Sequence, residues 1–315
     1  PHWPLQLPDP NDTGYAGVYD DGYEALAARR LESAWQQGVI SDALHENPAP
    51  WATDIAAWDS LSPDEQARAS REMELYAGMM SDLDEQLGRI FEHLTTIGEM
   101  DNTVVLFMSD NGASGQPPGL PTYIEGGWDN SFENMGNYNA FAGLSNGWSH
   151  ASMAGYRSLK ASPWEGGTRV AAFVAGAGAT ESGSVDDQWL SVKDDMPTIL
   201  ELAGAAHPSE TGQAPAMSGR SFAQLIQGGE MDARAANQPI PFEFSTNRWI
   251  VQGDWKAVWP VDSQRWQLDN LAEDPAEQTD RSGDQSQRLA SLIDAWETWA
   301  EEMQIVGSMV ETTLP

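Results

Sequence analysis

Between residues 73 and 94, apolar side chains recur every three or four positions, at Met73, Tyr76, Ala77, Met80, Leu83, Leu87, Ile90, Phe91 and Leu94. That spacing predicts a helix with one continuous apolar face. Its start is written in Ser62-Pro63-Asp64-Glu65: Ser62 caps, Pro63 sits in the first turn and Glu65 completes a capping box. The helix is expected to continue to Ile97 and stop at Gly98, roughly 50 Å at 1.5 Å per residue. The period then changes. Residues 104–108 form a short apolar run rich in β-branched types, predicted to be a fully buried parallel strand, and the run breaks at Asp110-Asn111-Gly112. A helix feeding directly into such a strand indicates an α/β arrangement.

The same reading predicts a helix over 24–37 with Gly38 as its stop, a second apolar strand over 169–175, a capped helix over 194–204 and a short helix after Phe222. Residues 228–241 read as a linker. Beyond it, short alternating strands at 242–244, 248–252, 255–259 and 265–268 precede an amphipathic helix at 284–303, which suggests a small antiparallel sheet with a helix on it. The expected division is therefore 1–235 as an α/β core and 236–315 as a carboxyl-terminal α+β subdomain. Residues 113–148 are rich in glycine, proline and asparagine and are expected to be a long loop, of a kind more often functional than idle. Its aromatics, Tyr123, Trp128, Phe132, Tyr138, Phe141 and Trp148, could wall a pocket for an apolar ring or form the loop's own small core.

Charge narrows the function. The 315 residues carry 48 acidic against 16 basic side chains, a formal net charge of −32. Such a chain repels nucleic acid and anionic membranes, and no apolar run approaches the roughly 20 residues that span a bilayer. The acids are dispersed and not gathered in a tail, which suits a salt-screened surface and a saline habitat. With no cysteine, disulfides, zinc-thiolate sites and thiol nucleophiles are excluded for these residues.

Three places could carry chemistry. Asp110 and Asn111 offer two hard oxygen donors at a strand's end, suited to Ca²⁺ or Mg²⁺, or they close the strand as an Asx turn, with Gly112 allowing a sharp bend. His2 lies in Pro1-His2-Trp3-Pro4-Leu5-Gln6-Leu7-Pro8, where three prolines hold the chain extended; it is either a surface histidine or one fixed at the end of a preceding element. Arg157 and Lys160 stand three apart beside Gly166-Gly167 in a chain poor in bases. They are solvated charges, or Lys160 brings a compact cation to an anionic substrate.

Taken together, Pro1 to Gln6, Leu106-Phe107-Met108-Ser109-Asp110-Asn111-Gly112, the Arg157, Lys160, Gly166, Gly167 block, Asp195 to Gly204 and Gln252-Gly253-Asp254-Trp255-Lys256-Ala257-Val258 resemble the type I, formylglycine-dependent sulfatases and most closely their bacterial arylsulfatase-like branch. The resemblance implies an alkaline-phosphatase-like α/β core, partial here, with a small carboxyl-terminal antiparallel sheet plus helix. It implies that Asp110 and Asn111 are two ligands of a divalent ion, usually Ca²⁺. It implies that His2 faces the ester oxygen as hydrogen-bond donor or general acid, and that Lys160 binds sulfate and steadies the leaving oxygen. The expected substrate is a small sulfate ester, with the loop aromatics favouring a ring-bearing one. The chain departs from the family in having neither cysteine nor Ser-x-Pro-x-Arg, so the formylglycine, the early acidic pair and the upstream sulfate-holding residues are expected ahead of Pro1. The chain then reads as the carboxyl-terminal portion of a sulfatase, inactive by itself, from a bacterial periplasm or cytoplasm. Gly155 stands where relatives often place a proline. The alternatives are a phosphate or phosphonate monoester hydrolase of the same superfamily, and a non-catalytic, degenerate binding protein.

Overall fold

A computed structural model describes residues 1–115, 127–179, 183–229 and 238–305. In chain order these carry α1 (Tyr23–Gln36), α2 (Asp42–Glu46), α3 (Pro63–Thr96), β1 (Val104–Met108), α4 (Asn146–Ala151), α5 (Glu165–Thr168), β2 (Ala172–Gly176), α6 (Asp195–Leu202) and α7 (Ala223–Ile226). The sheet strands β3 (Ile240–Phe244), β4 (Asn247–Gln252), β5 (Trp255–Trp259) and β6 (Gln267–Asn270) follow, then α8 (Ser286–Glu302). Tyr123 and most of the expected linker at 228–241 lie outside the described residues. The chain divides into two compact units, one of Pro1–Ile90, Ser109–Val170 and Pro239–Pro315, the other of Phe91–Met108 and Ala171–Gln238. Among the described residues no helix is long and apolar enough to cross a membrane.

In the first unit α3 starts where its capping box predicts. The Ser62 backbone N–H and hydroxyl donate to Glu65 Oε2 at 2.8 and 2.7 Å, and the Glu65 N–H returns to Ser62 Oγ at 3.4 Å. Met73 and Ala77 bury against Tyr19, Tyr23, Leu26, Trp58, Leu144 and Trp148. Trp148 is thus a core residue, its indole N–H donating to Ala69 O at 2.8 Å. Leu75, on another side of α3, packs with Leu5, Met135 and Ala142. That contact and two backbone bonds, Leu5 N to Ala142 O at 2.8 Å and Leu7 N to Gly136 O at 3.0 Å, fix the extended amino end. The later part of the α3 face is less covered among the described residues: Met80 is 41% and Ile90 54% exposed.

The carboxyl-terminal sheet is antiparallel throughout, in the order β3-β4-β5-β6. Because successive strand residues point to opposite faces, Ile250, Ala257 and Leu268 meet Leu289, Leu292, Ile293 and Trp296 of α8, while Lys256 and Asp269 pair across strands on the other side.

In the second unit β1 pairs with β2 from Val104↔Gly176 to Met108↔Ala172. This corrects the expectation of a fully buried parallel strand: the pairing is antiparallel and β1 is half-buried throughout. An apolar run states that a strand seeks cover, not which neighbour supplies it; β2 is the strand that pairs with β1 among the described residues, and its Phe173 is 51% exposed. The strand predicted over 169–175 begins later, at Ala172, because Glu165–Thr168 turns as α5 first. α6 forms as predicted. Thr198 Oγ1 donates to Asp194 O at 2.6 Å and accepts from Phe222 N at 2.9 Å, which ties α6 to the segment entering α7.

Candidate functional site

The extended amino end brings His2 to Lys160. Lys160 Nζ lies 3.2 Å from His2 Nε2 and Ser114 Oγ lies 3.4 Å from the same nitrogen. His2 Nδ1 stands 2.8 Å from Trp3 O. A carbonyl only accepts and an ammonium only donates, so this arrangement assigns the proton to Nδ1 and leaves Nε2 as the acceptor. All three groups face solvent at least in part. An anionic oxygen brought to the pair would take the ammonium's hydrogen bond in place of Nε2.

Asp110 and Asn111 lie on the turn that leads into Ser114. Ser109 Oγ donates to Asn111 O at 2.9 Å, and Asn111 Nδ2 donates to Asp110 Oδ1 at 3.2 Å. The turn is held to the lysine loop by backbone bonds: Lys160 N to Ala113 O at 3.0 Å and Gly112 N to Gly167 O at 3.2 Å. Of the five residues singled out from the sequence, His2 touches Lys160 and also Ser114, which follows Asn111 by three positions, so the Asp110-Asn111 turn is tied to the same loops through its backbone. The two oxygen donors suit a hard divalent ion but make only part of a set of six to eight. Among the described residues no cluster of three or more acidic or histidine side chains accompanies them. They fit such an ion as contributors to a larger donor set.

Gly112 is needed for a reason other than the one its sequence position suggests. A Cβ there would lie 1.9 Å from Gly166 O, and one on Gly166 would lie 2.2 Å from Ser158 O. With Gly167, whose Cβ would lie 2.5 Å from Ser162 O, these glycines let the Asp110-Asn111 turn and the lysine loop pack backbone against backbone. Lys160 itself is flanked by strain, since Ser158 and Ala161 both take left-handed conformations at φ 67 and 72; such residues persist only where their surroundings hold them. Gly155, ahead of the loop, has φ 89. A proline ring fixes φ near −65°, so the proline expected of relatives would not fit the path taken here.

Arg157 turns away from this assembly. Its Nη1 donates to Glu277 O at 2.6 Å and its guanidinium lies 3.6 Å from the Trp164 ring centroid; it is a structural cation. Ser114, a serine in an unpatterned loop, offered no sequence signal. Two members of the aromatic loop continue a row of rings that starts at His2 and Trp3. The Trp3 ring, 4.5 Å from His2, meets Phe141 at 5.5 Å, which meets Trp128 at 5.3 Å. Tyr138 points to solvent, 86% exposed.

Behind the lysine loop lies a buried charge cluster. Lys256 Nζ sits 2.8 Å from Glu165 Oε1, 2.9 Å from Glu277 Oε1 and 3.4 Å from Thr168 Oγ1, and none of the three charged side chains reaches solvent by more than 1%. Burial alone would raise the Glu165 carboxyl, but Lys256 and Arg169 outweigh it and hold the group low. Glu277, given less compensation, is pushed up by burial and by the charge of Glu165. Asp269 is pushed up to about 8, by burial first and the neighbouring Glu277 second.

A family model described as Sulfatase matches residues 1–205. An uncharacterized sulfatase of Schizosaccharomyces pombe is 34% identical over 326 residues, covering 97% of this chain and 57% of that protein. An arylsulfatase of Klebsiella aerogenes is 31% identical over 211 residues, 65% of this chain and 44% of that one. The chain thus spans about half the length of the curated relatives it matches. Among solved structures, Ps i-CgsB superposes with a TM-score of 0.53 at 22% identity, over 88% of this chain and 54% of that one. The candidate sulfatase yidJ of Bacteroides fragilis superposes with a TM-score of 0.50 at 16% identity, over 90% of this chain and 59% of that one. At such identities the likeness concerns the fold, an alkaline-phosphatase-like one.

Proposed function

The chain belongs to the sulfatase family, and from that premise we propose that its residues form part of the active site of a sulfuric ester hydrolase, which cleaves a sulfate monoester to an alcohol or phenol and sulfate. The observation that carries the reading is the 3.2 Å approach of Lys160 Nζ to His2 Nε2, beside a turn presenting Asp110 and Asn111. Lys160 binds a sulfate oxygen and steadies the leaving oxygen as negative charge develops there. His2, freed of the ammonium when the ester takes it and protonated at Nε2 from solvent, faces the same oxygen as donor or general acid. Asp110 and Asn111 would hold Ca²⁺ together with donors from outside these residues, and the ion would supply a Lewis acid for the sulfate. The 315 residues contain no cysteine and no Ser-x-Pro-x-Arg, so the formylglycine nucleophile comes from elsewhere in the protein and this portion alone does not turn over. The Trp3, Phe141 and Trp128 rings favour an ester with an aromatic leaving group. Within this reading, 1–235 is core and 236–315 the subdomain that closes it.

The test is sulfate release from an aryl sulfate by the full-length protein. Lys160→Ala and His2→Ala are each expected to lower kcat/KM by about 10² or more; full activity in both would reject the roles. Faster cleavage of the matched phosphate ester would move the assignment to a phosphate or phosphonate hydrolase.

A further inference from the structure

The lysine loop is gripped from two sides, and the second grip belongs to the carboxyl-terminal sheet. Lys256 of β5 is fully buried and reaches both Glu165 and Glu277. Glu277 in turn accepts from Glu165 N at 2.5 Å through Oε2, and its carbonyl accepts from Arg157, the residue that opens the loop. Gly166 N donates back to Arg157 O at 2.8 Å. Closer still to Lys160, the side chain of Asn247, the first residue of β4, donates through Nδ2 to Ala161 O at 3.0 Å and accepts from Val261 N at 2.9 Å. Asn247 is 8% exposed, so its carboxamide is committed to these two backbone groups. Ala161 is one of the two residues with left-handed backbone that flank Lys160.

A strained loop held by buried hydrogen bonds and ion pairs keeps its geometry only while those partners are in place. Lys256 reaches the loop through Glu277, whose carboxylate it pairs with and whose carbonyl accepts from Arg157. We infer that Lys256 and Asn247 are positioning residues, which fix the strained 157–162 loop so that the Lys160 ammonium stands at His2. The carboxyl-terminal sheet then acts as a working part of the site. The inference rests on the proposed role of Lys160 toward the leaving oxygen.

The test uses the full-length protein and two sulfate esters, 4-nitrophenyl sulfate and a simple alkyl sulfate, whose leaving oxygens differ in how much charge stabilisation they need. A displaced Lys160 fails the poor leaving group most. Asn247→Ala and Lys256→Met are expected to lower kcat/KM on the order of 100-fold for the alkyl ester and about tenfold or less for the nitrophenyl ester. A merely structural defect lowers both esters equally through loss of folded enzyme, and that result would overturn the inference. Lys256→Met leaves the buried Glu277 carboxyl without its cation, while Glu165 keeps Arg169. If it does not fold, the variant carrying Glu277→Gln as well removes that charge and leaves the Glu165–Arg169 pair intact, and Asn247→Ala tests the loop independently. Amide hydrogen exchange gives a readout free of turnover: both variants should exchange faster at Lys160 and Gly166, and unchanged protection there sinks the proposal. Should the wild-type protein cleave neither ester, the hydrolase reading falls while the exchange data still decide whether these residues hold the loop.

Discussion

His2 and Lys160 are 158 residues apart in sequence and 3.2 Å apart at their nitrogens. Neither residue announces that proximity. What the sequence offers is residue type and setting: a histidine in a proline-stiffened segment, a lysine beside a glycine pair in a base-poor chain. The buried cluster behind the lysine shows the same limit more sharply, because its partners lie on a helix, a strand and a loop far apart in the chain. One member makes a prediction at this scale. Asp269 keeps its proton in the folded state up to about 8, against an ordinary value of 3.8. Its contribution to stability is therefore complete below about pH 4 and is lost as pH rises toward 8, since the unfolded chain releases that proton and the folded one does not, at about 1.4 kcal/mol per pH unit. Asp269→Asn should flatten this slope, so that the variant gains on the wild type steadily between about pH 4 and 8 in denaturant midpoints. A difference between the two that does not change with pH would place the carboxyl in an ordinary environment. Charge and burial of this kind are not legible in the sequence: Asp269 lies just past the 265–268 run read as a strand, and alternation does not say which face is wet.

Elements were more legible. The 3.6-residue period and the capping box place α3 within a residue of its observed bounds, Pro63–Thr96, because local hydrogen bonds and side-chain spacing decide both. Ser62→Ala removes the cap and should cost about 1 kcal/mol, read as a lower midpoint of urea unfolding with an unchanged slope; no loss would mean that the start of α3 is held by tertiary packing alone. The four strands of the carboxyl-terminal sheet were visible for the same reason, as period-2 runs separated by turns. β1 was visible as a strand but not its partner or direction. Strand pairing joins residues about seventy positions apart here, Val104 with Gly176, and an apolar run is compatible with either direction. The short α5 was missed, since four residues containing a glycine pair carry no helical period. Their turn is imposed by the close approach of Gly112 to Gly166 and by the buried ion pairs of Glu165.

At the scale of the whole molecule the formal charge of −32 is the property with a direct consequence. Repulsion among exposed carboxylates weakens as the screening length falls from about 30 Å at 0.01 M to about 3 Å at 1 M salt, so the melting temperature should rise across that range of sodium chloride. A fall would contradict the saline habitat we propose from the dispersed acids. The sequence by itself determined the elements with local causes, the sign and spread of the charge, and the residue types able to carry the chemistry, because propensity, period and composition act over a few neighbouring residues. Only the tertiary structure decided that β1 runs antiparallel to β2, that Arg157 supports where Lys160 is exposed, and that a lysine in β5 reaches the acids behind the 157–162 loop. Those outcomes turn on which distant backbones approach each other and on what is left without water, and no single stretch of sequence contains that information.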